Sequence, residues 1–243
     1  MATKYGPTIV TDGLVLCLDA GNSQSYPGSG TTWTDLSVSG INMDMSSTPS
    51  FSTNDGGYFH FDGVDDYFYV PSSDVNNGIT SPLVSIAGTW SFWVNYDSIT
   101  NYHGLMMMYD SGGGYTDYLR IISNGGLIKA WMENDDTGIW PSEVSTASSG
   151  STQVVTGSWK NIVLRQNGTN IQFYVNASTS GSAVSDSSWT SEAVSTPFVY
   201  IGLSTWSAKW IDAKIAMVSA YNRGLTDTEI LQNYNANKGR FGL

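Results

Sequence analysis

The stretch Tyr58–Val70, YFHFDGVDDYFYV, limits what this chain can fold into more than any other. Two short aromatic runs, Tyr58–Phe61 and Tyr67–Val70, flank a turn of Asp62, Gly63, Val64, Asp65 and Asp66. Asp and Gly supply the positive φ angles and local side-chain caps that reverse a chain. Tyr58, His60 and Asp62 fall on one side of the first run, and Phe59 and Phe61 on the other. Successive strand side chains point to opposite faces, so the pattern predicts a hairpin with one face for a core. The other face is left for solvent or a second layer.

Composition agrees with a β-protein. The 243 residues include 9 Trp, 14 Tyr, 8 Phe and 26 Gly, and little in the way of helical Lys, Glu or Ala arrays. The formal charge of −11 argues against a nucleic-acid backbone and against anionic membranes. It suits solubility first, and is compatible with neutral glycans or divalent cations. The lone Cys17 allows no internal disulfide and, within LVLCLDA, reads as a small buried apolar residue. MATKYGPTIVTDG carries no apolar leader segment, and no apolar run is long enough to span a bilayer. The expectation is a chain folded without export or membrane insertion.

In chain order, residues 1–13 read as a lead-in and Leu14–Ala20 as the first strand. Trp33 and Leu36 are expected to plug one core edge. Thr89–Tyr96, Gly104–Asp110, Phe198–Leu203 and Ile211–Tyr221 read as strands. Asp117–Ile122 and Leu127–Glu133 form a predicted hairpin across SNGG, and Trp159–Gln166 and Asn170–Asn176 another across Asn167-Gly168. Thr179–Ser195, with Trp189, reads as a Ser-rich loop. Trp90, Trp93 and Trp159 lie inside strands and are expected in the core. Thr226 and Glu229 have capping-box spacing beside a Leu225–Ile230 staple, which predicts a short terminal helix with Ile230, Leu231 and Tyr234 as its apolar stripe. The fold class is therefore all-β: a two-sheet antiparallel sandwich with one short C-terminal helix, in a single domain over 1–243.

GLVLCLDA (Gly13–Ala20), FDGVDDYFYV (Phe61–Val70), Trp90–Tyr96, WKNIVL (Trp159–Leu164), FYVN (Phe173–Asn176) and IAMVSAYNRGLTDTEI (Ile215–Ile230) stand in an ordered set over nearly the whole chain. That set resembles the concanavalin A-like lectin/glucanase superfamily, in its laminin-G-like and pentraxin-like branch. The resemblance implies a jelly roll with a concave face that often binds glycans. The opening, VTDGLVLCLDAGNSQSYPGSGTTWTDLS, resembles domains of tailed-bacteriophage virion proteins, which are made in the bacterial cytoplasm without signal peptides.

The glucanases of this superfamily carry Glu-x-Asp-x-x-Glu. Here Glu133-Asn-Asp135 is followed by Gly138 at the last position, so the carboxylate pair that retaining hydrolysis needs is incomplete. No nucleophile elbow or Cys–His pair is suggested, and the chain reads as a non-enzyme. Calcium needs several hard oxygens. Asp110 and Asp117 flank the SGGGYT loop, and Asp117-Tyr-Leu-x-Ile resembles the pentraxin position that supplies an Asp ligand. The loop that carries the other pentraxin ligands, Leu203–Trp206, has no acids here. Asp62, Asp65 and Asp66 are expected to stabilise their own turn. His60 is expected to pack half-buried, and His103 to lie in a loop.

Sugar rings stack their C–H faces on aromatics, and the candidate binding residues are Tyr115, Trp140, Trp206 and Trp210. The same rings would equally suit core caps or a subunit interface. The reading is a virion structural protein, a head decoration, fibre or tail component, exposed on the particle and able to contact host-surface glycans. Its expected partners are other virion proteins, cell-surface glycans and further copies of itself. The alternative is a stand-alone, calcium-assisted carbohydrate-binding module or adhesin of a bacterium.

Overall fold

The computed structural model describes residues 8–99, 102–110, 117–133, 144–145, 154–187, 189–190, 194–204 and 209–243. In chain order the strands are β1 (Leu14–Asp19), β2 (Thr32–Trp33), β3 (Met43–Ser46), β4 (Ser50–Ser52), β5 (Tyr58–Asp62), β6 (Tyr67–Tyr69), β7 (Gly88–Tyr96), β8 (His103–Asp110) and β9 (Tyr118–Asn124). They continue as β10 (Leu127–Glu133), β11 (Val144–Ser145), β12 (Lys160–Gln166), β13 (Asn170–Val175), β14 (Ser178–Ser185), β15 (Pro197–Ile201), β16 (Leu203–Ser204), β17 (Lys209–Trp210) and β18 (Asp212–Tyr221). Helix α1 is Ser72–Asn76 and α2 is Asp227–Asn237.

These strands make two antiparallel sheets face to face. Sheet A runs β14-β13-β12-β7-β18-β5-β4, with β1 also on β18; sheet B runs β11-β10-β9-β8-β15-β6-β3-β2. The expected two-sheet sandwich with a C-terminal helix is present. One contiguous core fills the space between the sheets, including Leu16, Trp33, Phe59, Phe68, Phe92, Tyr96, Met106, Ile121, Leu164, Ile201 and Val218.

Two expectations about the strands are corrected. Tyr58–Val70 is not a hairpin. β5 belongs to sheet A beside β18 and β4, and β6 to sheet B beside β15 and β3. The turn between them carries the chain from one sheet to the other. Gly63 takes φ +77°, Val64 N donates to Asp62 Oδ1 at 2.9 Å, and Asp62 N donates to Asp66 Oδ2 at 3.1 Å. Alternation says which side chains share a face, not which strand lies alongside. Here the inward rings face each other across the core, with Phe59 and Phe68 4.8 Å apart and edge to face. The second correction is at Ser178–Ser185, read as loop but paired with β13 as an edge strand. Its turn uses Asn176 (φ +51°) and Ala177 (φ +62°), so no glycine announces it. Trp189 in that region is buried.

Trp93 and Trp159 are buried as expected, but not between the sheets. They form a separate cluster with Met217 and Phe241 on the far face of sheet A, where Trp93 stacks on Phe241 at 4.3 Å. Leu225 and Ile230 pack together with Tyr221 and Val163, as the staple predicts. Leu231, assigned to the apolar stripe, is 47% exposed, so the helix buries a narrower strip.

A strand pair of its own, β16–β17, lies on β8. A Cβ built at Gly104 would meet backbone atoms of Leu203, Ser204 and Lys209. Ser204 Oγ also reaches Met107 Sδ at 3.9 Å.

Two measurements follow. The Gly104→Ala variant must lift β16–β17 from β8. It is expected to lose about 1–3 kcal/mol, the usual cost of overpacking; an unchanged Tm would contradict that seating. At the helix, Thr226 Oγ1 accepts from Glu229 N at 3.3 Å, and Glu229 accepts from Thr226 N at 2.8 Å and takes both Arg223 nitrogens at 2.7 and 2.9 Å. Arg223 first, then the Thr226 amide, hold the Glu229 carboxyl down at about 2 from its ordinary 4.5. A depressed acid contributes stability that is complete above its unfolded value and lost as pH falls through its folded one. The Tm gap between the wild type and Glu229→Gln should therefore be constant above about pH 4.5 and close towards pH 2.

Candidate functional site

The outward positions of sheet B carry an unusual set of side chains. On β6, Phe68 is buried in the core while Tyr67 and Tyr69 face away, half-buried. On β15, Val199 and Ile201 point inward while Phe198 and Tyr200 face out. β8 puts Met106 and Met108 in the core and leaves Met107 and Tyr109 on the other face. On β9 and β10 the core takes Leu119, Ile121, Ile128, Ala130 and Met132, and the other face takes Tyr118, Arg120, Lys129 and Trp131. The physical cause is strand parity: once one set is committed to the core, the alternate set must share the far face.

Register aligns these residues. One row crosses seven strands as Thr32, Asp44, Tyr69, Tyr200, Met107, Arg120 and Trp131, each paired with the next. The adjacent row pairs Phe198 with Tyr109, and Tyr109 with Tyr118. The rings touch: Tyr109 and Tyr200 stack at 5.8 Å and 3°, Tyr67 lies 5.8 Å from Tyr200 and 6.0 Å from Tyr69, and Tyr109 lies 5.4 Å from Phe198. At one end Arg120 sits over Trp131 at 4.8 Å and over Tyr118 at 5.2 Å, and Lys129 sits 5.7 Å from Trp131. At the other end Thr32 Oγ1 donates to Asp44 Oδ1 at 2.8 Å.

The face is thus a band of half-buried rings with two cations at one end and a carboxylate–hydroxyl pair at the other. The β16–β17 pair, seated on Gly104, walls it near the start of β8. Such a surface offers π faces to C–H groups and fixed polar atoms to hydroxyls or anions.

Of the expected binding residues, Trp210 lies half-buried on β17. Its carbonyl bonds His103 Nδ1 at 2.9 Å, which places it by the first residue of β8. Tyr115, Trp140 and Trp206 lie outside the described residues, as do Asp135 and the side chain of Glu133. Asp110 and Asp117 are brought together: Asp110 N donates to Asp117 O at 3.0 Å. One Asp110 carboxylate oxygen accepts from Ser195 N at 3.0 Å and Ser195 Oγ at 2.8 Å. They stand at the far end of β8 from Trp210, about 20 Å away at strand rise. The ring band between them was not singled out from sequence. Its signal was present in YFY and FVYI, strands aromatic on the outward as well as the inward parity.

Two further expectations concern titratable groups. Cys17 is buried, and burial first, then Asp19 and Asp35, push its thiol up to about 12, so it is an inert packing residue. His103 is not in a loop but starts β8, 9% exposed. His60, by contrast, stands 3.1 Å from Asp97 with its side chain 39% exposed. Burial and then Asp97 push the Asp212 carboxyl up, while His103 and His60 oppose that.

The Laminin_G_3 model, described as concanavalin A-like lectin/glucanases superfamily, matches residues 62–231. No curated protein matches in sequence. Among solved structures, the receptor binding domain of botulinum neurotoxin C/D mosaic serotype is similar over 93% of this chain and 51% of its own, at 14% identity and TM-score 0.66. The CBM40 of Ruminococcus gnavus IT-sialidase, bound to alpha2,3 sialyllactose, is similar over 63% and 84% at 14% identity and TM-score 0.54. NanB sialidase from Streptococcus pneumoniae, as its K499G mutant, is similar over 72% and 27% at 14% identity and TM-score 0.56. The chain spans about half the length of the toxin domains it resembles. At these identities the likeness concerns the fold. The family match covers most of the chain, which therefore belongs to the Laminin_G_3 family of the concanavalin A-like lectin/glucanases superfamily.

Proposed function

We propose that this chain is a non-catalytic glycan-binding module, and that the outward face of sheet B is its sugar platform. The observation that carries the reading is the aligned ring band of Tyr67, Tyr69, Tyr109, Phe198 and Tyr200. Flat ring faces receive the C–H face of a pyranose. Thr32 and Asp44 at one end, and Arg120 and Lys129 at the other, give hydroxyl and anion contacts along the same rows. The likeness to a CBM40 that is bound to sialyllactose supports the reading. Trp210 would then act as a side wall rather than as the platform itself.

The wider role we propose is that of an exposed virion component, folded in the bacterial cytoplasm and assembled with other virion proteins, whose platform meets host-surface glycans. What supports it is the resemblance carried by Val10–Ser37. A calcium ion at Asp110 and Asp117 belongs to the same proposal, since the two residues are neighbours at the β8–β9 end.

The test is a glycan array with purified protein, run with calcium and again with chelator. Tyr200→Ala and Tyr69→Ala are each expected to weaken retained glycans about tenfold, roughly 1.4 kcal/mol, while leaving Tm within a few degrees. Loss on chelation would assign calcium a part, and Asp110→Asn should then reproduce it. Retention unaffected by both tyrosine variants would remove the platform, and no retained glycan at all would leave a purely structural protein. An antibody to the chain should label purified phage particles; its failure to do so would favour the stand-alone module.

A further inference from the structure

The opposite sheet carries a second cluster, at the end where β18 lies between β5 and β7. His60 on β5 pairs in register with Lys214 on β18, and Asp62 with Asp212. Just past β7, Asp97 N and Ser98 N both donate to the Asp212 carbonyl, at 3.0 and 3.2 Å. This backbone arrangement converges three side chains. One ligand atom each from His60, Asp97 and Asp212 lies within 4.8 Å of the other two. His60 Nε2 to Asp97 Oδ2 is 3.1 Å, close to the roughly 3.3 Å between neighbouring ligands of a tetrahedral ion with bonds of about 2.0 Å.

The charge at this corner is unbalanced. Asp62 and Asp212 lie opposite each other in register, and among the described residues Lys214 Nζ holds Asp97 Oδ1 at 2.7 Å. That pair is partly exposed, and ion pairs of this kind hold little energy and are easily displaced.

A second observation comes from His103. Its Nδ1 meets the Trp210 carbonyl at 2.9 Å. A carbonyl only accepts, so Nδ1 carries the proton and Nε2 presents a lone pair. That Nε2 is buried with no hydrogen-bond partner among the described residues, in a ring only 9% exposed. Metal-binding imidazoles are commonly set this way, with the distal N–H given to a backbone carbonyl. His103 stands outside the 4.8 Å set. The fourth position therefore belongs to water.

We propose that His60, Asp97 and Asp212 form a binding site for a divalent transition-metal ion of the zinc class. Imidazole together with carboxylate selects that class over calcium, which prefers oxygen alone. The ion would pin the segment after β7 to β18. Since Trp210 precedes Asp212 by two residues, it would also steady the β16–β17 wall. The site stands on sheet A and does not depend on the glycan reading.

The test uses untagged, chelator-stripped protein titrated with Zn²⁺ alone by calorimetry, with Tm read in parallel. One equivalent is expected to bind, with a Tm rise of about 5 °C at a hundredfold excess over Kd. His60→Gln, at a partly exposed position, should weaken binding at least tenfold, a loss reversed in neither buffer nor calcium. Lys214→Ala removes the competing cation and should tighten it. The assignment fails if Zn²⁺ does not bind, if His60→Gln binds as the wild type does, if Lys214→Ala weakens binding, or if calcium alone gives the Tm rise. Glycan retention is read separately on the array, so failure of the metal site and failure of the glycan reading are told apart.

Discussion

The packing of aromatic rings across the two sheets at the β5–β6 crossing is the contact on which the rest depends. Phe59 comes from sheet A and Phe68 from sheet B, 4.8 Å apart, and Trp33 touches both at 4.9 and 5.1 Å. All three are fully buried. Burying each such ring contributes about 1.5–3 kcal/mol, and truncating one would leave a cavity that neighbours fill only in part. The Asp62–Asp66 turn is the only covalent step between these two strands, so ring packing and turn geometry fix together how the sheets oppose each other. Gly202 belongs to the same arrangement: at φ +89°, a Cβ there would collide with the Phe61 ring.

With that opposition set, parity does the rest on sheet B. Committing Phe68, Val199, Met106, Leu119 and Ala130 to the core obliges Tyr67, Tyr69, Tyr200, Met107, Arg120 and Trp131 to share the outer face. The aligned ring band is therefore a by-product of core packing and is held in place by it. Polar ties hold the frame around it. Asp35, 7% exposed, accepts from Cys17 N at 2.8 Å, Ser37 N at 2.8 Å, Ser37 Oγ at 2.7 Å and Ile41 N at 2.9 Å. Arg240 binds Asp19 Oδ1 at 2.6 Å and the Asp55 carbonyl at 3.1 Å, so the C-terminus is fastened beside β1. The TWTDLS segment thus has a structural duty that is independent of any partner.

Features that depend on neighbours in sequence were legible. The capping box at Thr226 and Glu229 and the turns at Asn167-Gly168 and Gly125-Gly126 are local hydrogen-bond and φ requirements, written in a few adjacent residues. The Ser178–Ser185 strand was not legible, because its turn puts Asn176 and Ala177 at positive φ without a glycine and the strand itself is polar. The His60, Asp97 and Asp212 cluster was invisible for a different reason: its members come from two strands and the segment just past a third, far apart in the chain. His60 is half-buried on the face opposite Phe59 and Phe61, as its parity predicts, but nothing in the sequence showed that this face brings it to Asp97.

The sequence by itself determined the class of fold, the parity of each strand and the short terminal helix, because those follow from period-two burial and from local capping. Tertiary structure alone decided that Tyr58–Val70 bridges two sheets rather than folding on itself, since the inward rings find more contact with the opposite layer than with each other's strand. It alone aligned Tyr69 with Tyr200 and Arg120 with Trp131, and brought His60 to Asp97. Register between non-adjacent strands is set by the shape of the filled core, and no local pattern of residues encodes it.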